Sequence, residues 1–208
     1  MFKKDNLRLL ATNCGVQSNV LGYIEYIAGN YAEFDIEEGP WIAGGSLTKL
    51  FMNQDLGCSD IDIFTRTRRQ FNQISGRLSS MGLRESRDSS AATTFESGID
   101  SFEIQIIKAD QLSVWTLLQS FDFTVVKAAT DSKSIIYHPL FLKHIQEKRL
   151  ELDYPITTKS RMPSRLIKYA NKGFSVDPKT AMQAIVHKSG GPLDDVGGRR
   201  DPYSGRGY

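Results

Sequence analysis

The sequence predicts an α+β fold, a small mixed sheet flanked by helices and followed by a helical extension, on three observations. Short apolar stretches with the two-residue alternation of strands recur at 41–43, 60–64 and 101–107. Segments with helical apolar stripes lie between and around them, as at Phe71, Ile74 and Leu78. The chain has 208 residues, 40% of them hydrophobic, enough for one good core but not for several independent domains.

Taken in order, Val20, Leu21, Ile24, Ile27, Ala28 and Tyr31 mark one amphipathic helix over about 16–34. Gly39-Pro40 breaks the chain before the first strand, 41–43. Gly44-Gly45 ends that strand in a turn, and Ser46 suits the N-cap of a short helix through Leu47, Leu50 and Phe51. The 60–64 strand leads into a helix opened near Thr65 and closed by Met81-Gly82. A weakly apolar hairpin is expected over 83–89 and 92–96, then the clearer strand 101–107. A helix over 109–119, an apolar element over 121–129, a short strand from Ser134 and a helix from about Leu140 follow. Beyond Pro163, the positions Leu166, Ile167, Tyr169 and Ala170 form a helix ended at Gly173, and Asp177-Pro178 opens another over 179–187. From Ser189 onward the chain is too poor in apolar residues to fold alone and reads as a linker or docking arm.

The chemistry concentrates at two points. A turn of two glycines lets backbone approach a triphosphate closely, and the N–H groups of a following helix favour an anion, so Gly44, Gly45 and Ser46 form a candidate phosphate cradle. In Asp60-Ile-Asp-Ile, strand alternation sends Asp60 and Asp62 to one face and Ile61 and Ile63 into the core. Two converging carboxylates repel unless a cation lies between them, and hard oxygen ligands beside phosphate suit Mg²⁺. Glu103, on the polar face of the 101–107 strand, joins them if that strand lies alongside. The reading is a metal-dependent nucleotide site.

In this order the segments resemble the polymerase-beta-like nucleotidyltransferase superfamily. They are most similar to the head and neck of the class II CCA-adding enzyme and bacterial poly(A) polymerase family. Trp41 to Phe64 resembles its GG-x-V-R-D motif and D-x-D strand, and Phe102-Glu-Ile its later acid-bearing strand. Phe121-Asp-Phe-Thr-Val-Val-Lys-Ala-Ala is similar to R-R-D-F-T-I-N-A, and Met162-Pro-Ser-Arg-Leu-Ile-Lys-Tyr-Ala-Asn-Lys-Gly-Phe to the neck that begins E-D-P-x-R-L-L-R. The resemblance implies a nucleotidyltransferase palm with its N-terminal helix over 1–135, a helical neck over 136–188 and a Gly/Arg-rich tail over 189–208. It implies transfer of a nucleoside monophosphate from NTP to an acceptor hydroxyl, with an RNA 3′ end favoured. Two Mg²⁺ ions would be held by Asp60, Asp62 and Glu103. Asp122 would meet the ribose, Arg165 the base, and Lys49 the phosphates.

Several positions depart from the family. Thr48-Lys49 stands where it has Arg-Asp, Ser120 where an Arg precedes Asp-Phe-Thr, and Val126 where it has Asn. Arg161 and Met162 replace the Glu-Asp that hydrogen-bonds the base, so discrimination between C and A should be poor. These changes motivate a second reading, a catalytically lapsed binding or assembly protein that uses its tail to hold a protein partner.

Charge and composition bound the partners. Net charge is +2, but 141–188 carries ten Lys or Arg against four Asp or Glu, whereas 1–40 carries three against six. The basic neck is therefore the expected RNA contact. No apolar run approaches the ~20 residues that span a bilayer, and no signal core follows the N-terminus, so a cytoplasmic protein without membrane contact is expected. Cys14 and Cys58 show no ligand spacing, and His138, His144 and His187 are assigned no chemistry.

Overall fold

The computed structural model describes residues 1–54, 56, 60–96, 103–108, 112–153, 162–178 and 181–182. The order is β1 (Lys3–Asn6), α1 (Leu7–Asn13), α2 (Ser18–Tyr31), β2 (Trp41–Ala43), α3 (Gly45–Phe51), β3 (Ile61–Thr65), α4 (Arg68–Ser80), β4 (Arg84–Asp88), β5 (Ala92–Glu96) and β6 (Glu103–Lys108). There follow α5 (Val114–Ser120), a 3-10 turn (Thr124–Val126), β7 (Ala128–Thr130), β8 (Ser134–Tyr137), α6 (Phe141–Gln146), β9 (Arg149–Leu150), α7 (Met162–Ala170) and β10 (Ser175–Val176).

Eight strands form one sheet in the order β1-β8-β7-β2-β3-β6-β5-β4. The sheet is mixed, as expected. Its neighbours are antiparallel except β3 and β6, which run parallel with Ile61 beside Ile104 and Ile63 beside Ile106. A parallel pair needs a long crossover. Helix α4 and the β4–β5 hairpin supply it.

Alternation fixes what each strand buries. Ile61, Ile63, Ile104 and Ile106 are fully buried together with Trp41, Ile42 and Leu47. Helix α2 adds Ile24 and Ile27, and α4 adds Ile74 and Leu78, from the stripes expected of them. Thr67 caps α4 rather than Thr65, because a capping box with Gln70 closes there: Gln70 N donates to Thr67 Oγ1 at 3.2 Å, and Thr67 N to Gln70 Oε1 at 3.1 Å.

Two pieces of the fold were not expected. Strand β1 pairs with β8 at the sheet edge, Lys4 beside Ile136, although all four of its residues are exposed. Strands β9 and β10 form a separate parallel pair, Leu150 beside Val176, which ties the chain after α7 back to the end of α6. The C-terminus of α7 follows expectation: Gly173 has φ 83°, and Phe174 N donates to Tyr169 O at 3.1 Å. Ala181 N donates to Asp177 O at 3.0 Å, the first turn of the next expected helix, whose continuation lies outside the described residues, as does the tail. No helix among the described residues is long and apolar enough to cross a membrane.

Candidate functional site

The site is built where β2 ends against β3. Ile42 sits beside Ile63 and Trp41 beside Phe64, so the turn after Ala43 emerges next to the start of β3. Gly44 makes the turn with φ 81° and ψ −133°, a conformation essentially restricted to glycine, and its N–H donates to Ala128 O at 3.1 Å. Gly44 is itself the N-cap of α3, which corrects the expectation of Ser46. With the cap supplied two residues earlier, Ser46 lies inside the helix, 2% exposed, and its hydroxyl reaches back toward Ala43 O at 3.5 Å. A Cβ on Gly45 would meet nothing within 4 Å, so the chain in front of the turn is open to a ligand.

Asp60 is exposed just before β3, and Asp62 is half-buried within it, two residues on and therefore on the same face. Asp62 lies beside Gln105 of β6, and one step earlier the register sets Asp60 beside Glu103. Glu103 thus shares the face of the aspartates from the neighbouring strand. It also lies directly opposite Glu96 of β5. Among the described residues, however, no three carboxylate, imidazole or thiol groups gather as an ion site. The expected three-acid cluster is therefore a pair on β3 with a third acid at the head of β6. Such a pair beside an open glycine turn fits Mg²⁺, which is commonly held by one or two carboxylates with substrate phosphates completing its shell.

The neck reaches the site through α7. Arg165 Nη2 lies 2.9 Å from Asp122 Oδ1, and its guanidinium lies 5.8 Å from the Phe123 ring centroid. The two residues expected to contact base and ribose therefore contact each other. Tyr169 packs its buried ring against Phe123 and Phe174, at 5.4 and 5.8 Å between centroids, and burial pushes its hydroxyl well above the usual tyrosine range.

Lys172 was not anticipated. It follows α7 in the turn before Gly173, with its ammonium 5.3 Å from the Tyr169 ring centroid. Burial pushes its pKa down to about 8, helped by the charges of Lys168 and Lys49 and opposed by those of Asp60 and Asp62. Lys49, half-buried on α3, thus belongs with Lys168 and Lys172 to a group of cations beside the aspartate pair. The lysine excess of the neck was visible in sequence. Nothing there indicated that this lysine would turn toward β3.

One family-variant position, Thr48, has a structural role, as do residues in and beside the 3-10 turn it reaches. Thr48 is buried and donates from Oγ1 to Val125 O at 2.5 Å, tying α3 to the 3-10 turn. Thr124 of that turn shares a 2.8 Å hydrogen bond with Nδ1 of buried His144, whose imidazole burial holds below its usual range. Lys127, 1% exposed, places its ammonium 2.9 Å from Asp153 Oδ2.

Comparison with solved structures gives the same fold. A CCA-adding enzyme in an apo form is 14% identical with a TM-score of 0.63, over 87% of this chain and 45% of that one. The Thermotoga maritima CCA-adding enzyme complexed with tRNA is 14% identical with a TM-score of 0.64, over 89% and 46%. A CCA-adding enzyme with CTP is 13% identical with a TM-score of 0.61, over 87% and 44%. The chain spans less than half the length of these proteins, and at such identity the likeness is one of fold, the nucleotidyltransferase fold. No curated protein matches the sequence. The family model described as Gabija anti-defense 2 family protein matches residues 19–148, more than half of the sequence. With that match and a nucleotidyltransferase-type palm beneath it, the chain belongs to the Gabija anti-defense 2 family.

Proposed function

We propose that this protein is a metal-dependent nucleotidyltransferase that moves a nucleoside monophosphate from NTP to an acceptor hydroxyl, an RNA 3′ end, in the cytoplasm. One observation carries the reading: the β2–β3 register sets an open glycine turn against the strand bearing Asp60 and Asp62. The backbone at Gly44, Gly45 and Ser46, with the Lys49 ammonium, holds the β and γ phosphates. Asp60 and Asp62, with Glu103 from the adjacent strand, are the carboxylates that would hold Mg²⁺. When bound, Mg²⁺ would supply charge neutralisation at the triphosphate and acidify the acceptor hydroxyl. Asp122 and Arg165 orient ribose and base, which requires their mutual contact to open to the nucleotide. The chain's contribution is thus positioning and electrostatics. Structural neighbours solved with tRNA, CTP and ATP support NTP and RNA as the partner classes. Membership in an anti-defense family directs the activity at disabling the defence named Gabija.

The second reading, a binding protein whose chemistry has lapsed, is favoured by the Arg165–Asp122 contact and by the lack, among the described residues, of a three-group ion site. A labelling assay separates the two. With Mg²⁺ and labelled NTP, the purified protein should label RNA, and Asp60→Asn with Asp62→Asn should abolish the label. Labelling that survives the double substitution would exclude this site. Absence of labelling, with a protein partner lost on truncation at Ser189, would establish the binding role.

A further inference from the structure

Helix α4 and its flanks form a charged surface that the proposed chemistry does not use. From Thr65 to Arg84 the sequence holds five arginines and no lysine, aspartate or glutamate, in a chain with net charge of only +2. Arg66 pairs with Glu38, and Arg84 stands 4.0 Å from Glu96. Among the described residues, no carboxylate lies within ion-pair distance of Arg68, Arg69 or Arg77. The Arg68 guanidinium lies 4.7 Å from the Phe71 ring centroid, and the Lys108 ammonium, paired with Asp88 at 2.9 Å, lies 4.9 Å from the same ring. Arg77 is anchored by one bond, Nε to Asn30 O at 3.0 Å, out of the five N–H donors a guanidinium carries.

Arg69 and Arg77 border an open pocket of about 680 Å³ between the end of α2 and α4. Arg69, Gln73 and Arg77 line one wall, and Asn30, Tyr31 and Glu33 another. Like charges on one helix repel, and a polyanion relieves that repulsion. Exclusive use of arginine favours phosphate, whose oxygens match the planar fork in pairs. Arg69 and Arg77 are eight residues apart, about 12 Å along the helix axis, a length that successive charges of a polymer cover and a single anion does not.

We infer that Arg69 and Arg77, on the side of α4 that borders this pocket, form a docking surface for the phosphate backbone of a nucleic acid strand. This conclusion does not depend on transfer activity.

The test is fluorescence anisotropy of the full-length protein with labelled single-stranded RNA and DNA of about 20 nucleotides, between about 50 and 200 mM salt. Two phosphate contacts give a slope of log K against log salt of about −1.4. Arg69→Gln with Arg77→Gln should weaken binding about tenfold at low salt and reduce the slope by about 1 or more. Arg69→Gln alone removes no intramolecular bond and should weaken it roughly threefold, which covers the case in which the double variant unfolds. RNA and DNA bound alike support a backbone contact, and RNA bound alone with the same arginine dependence supports it with a ribose contribution. No binding at low salt, variants that bind like the wild type, or displacement of the strand by polyglutamate as readily as by unlabelled RNA overturns the inference. Labelling is read with Asp60→Asn and Asp62→Asn and strand binding with the arginine variants, in separate assays, so failure of the cleft reading and failure of this one are separately visible.

Discussion

Arg165 on α7 and Asp122 after α5 form an ion pair at 2.9 Å that fastens the neck to the palm. The carboxylate side is 14% exposed and the guanidinium side 32%, so neither is fully screened by water. Removing one partner strands the other in a partly dry place. Arg165→Met should lower unfolding free energy by about 1–2 kcal/mol, a buried-pair cost discounted for this exposure. Denaturant titration of Arg165→Met, Asp122→Asn and the double variant checks it: strict additivity of the two losses would mean that the pair does not act as one.

The two glycines of the turn should respond oppositely to alanine. Gly44→Ala forces a side chain onto φ 81° and should cost about 1–3 kcal/mol. Gly45→Ala sits at the helix start with open space before its Cβ, so stability should hold or rise by up to about 1 kcal/mol. If phosphates lie against that open backbone, the stable Gly45→Ala protein should nevertheless lose nucleotide labelling. Melting temperature and labelling measured on the same samples separate the effects.

Lys172 gives a pH signature. Its folded pKa, about 8, lies below the usual lysine value of 10.5, so between these pH values the unfolded chain holds more protons than the folded one. Stability therefore rises with pH through that window. The penalty for burying the ammonium is fully present below about pH 8 and is gone above 10.5. Lys172→Met should be more stable than the wild type near pH 7, with the gap closing toward pH 10.5. In metal-free buffer, Asp60→Asn with Asp62→Asn should lower the Lys172 pKa further, because both carboxylates support its charge. The pH dependence of amine labelling, read by mass spectrometry, reports it.

Thr48 stands where the resembled family has arginine, yet it faces inward to the Val125 carbonyl. Thr48→Val keeps the volume and leaves that carbonyl without this donor, a loss of about 1–3 kcal/mol. Thermal unfolding that is unchanged in Thr48→Val would rule out a structural role for this bond.

The central strands, the hairpin and the amphipathic helices could be read from residue patterns because each buries one regular face; Ile61 and Ile63 alternate as sharply in space as in sequence. Strand β1 could not, since Lys3, Lys4, Asp5 and Asn6 bury nothing and are held by backbone pairing with β8 and by surface contacts such as Lys4 with Glu37 and Tyr137 Oη donating to Asp5 Oδ2. Asp60, Asp62 and Glu103 were legible as a shared face because period and register decide it. Their spacing was not, because it depends on where β6 begins relative to β3. The N-cap was misread by two residues because Gly44 takes a conformation that relieves Ser46 of capping. Lys172 and the Arg165–Asp122 pair arise from long-range packing of α7, which no local pattern encodes.

The lone parallel pairing in the sheet has a temporal consequence. The aspartate strand acquires its acidic neighbour only after α4 and a complete hairpin have been laid down, and the glycine turn gains the Ala128 carbonyl that holds it later still, so a nascent or clipped chain ending before Glu103 has neither. Because such distant strand pairings form late, the acid-bearing face matures after the helices that flank it.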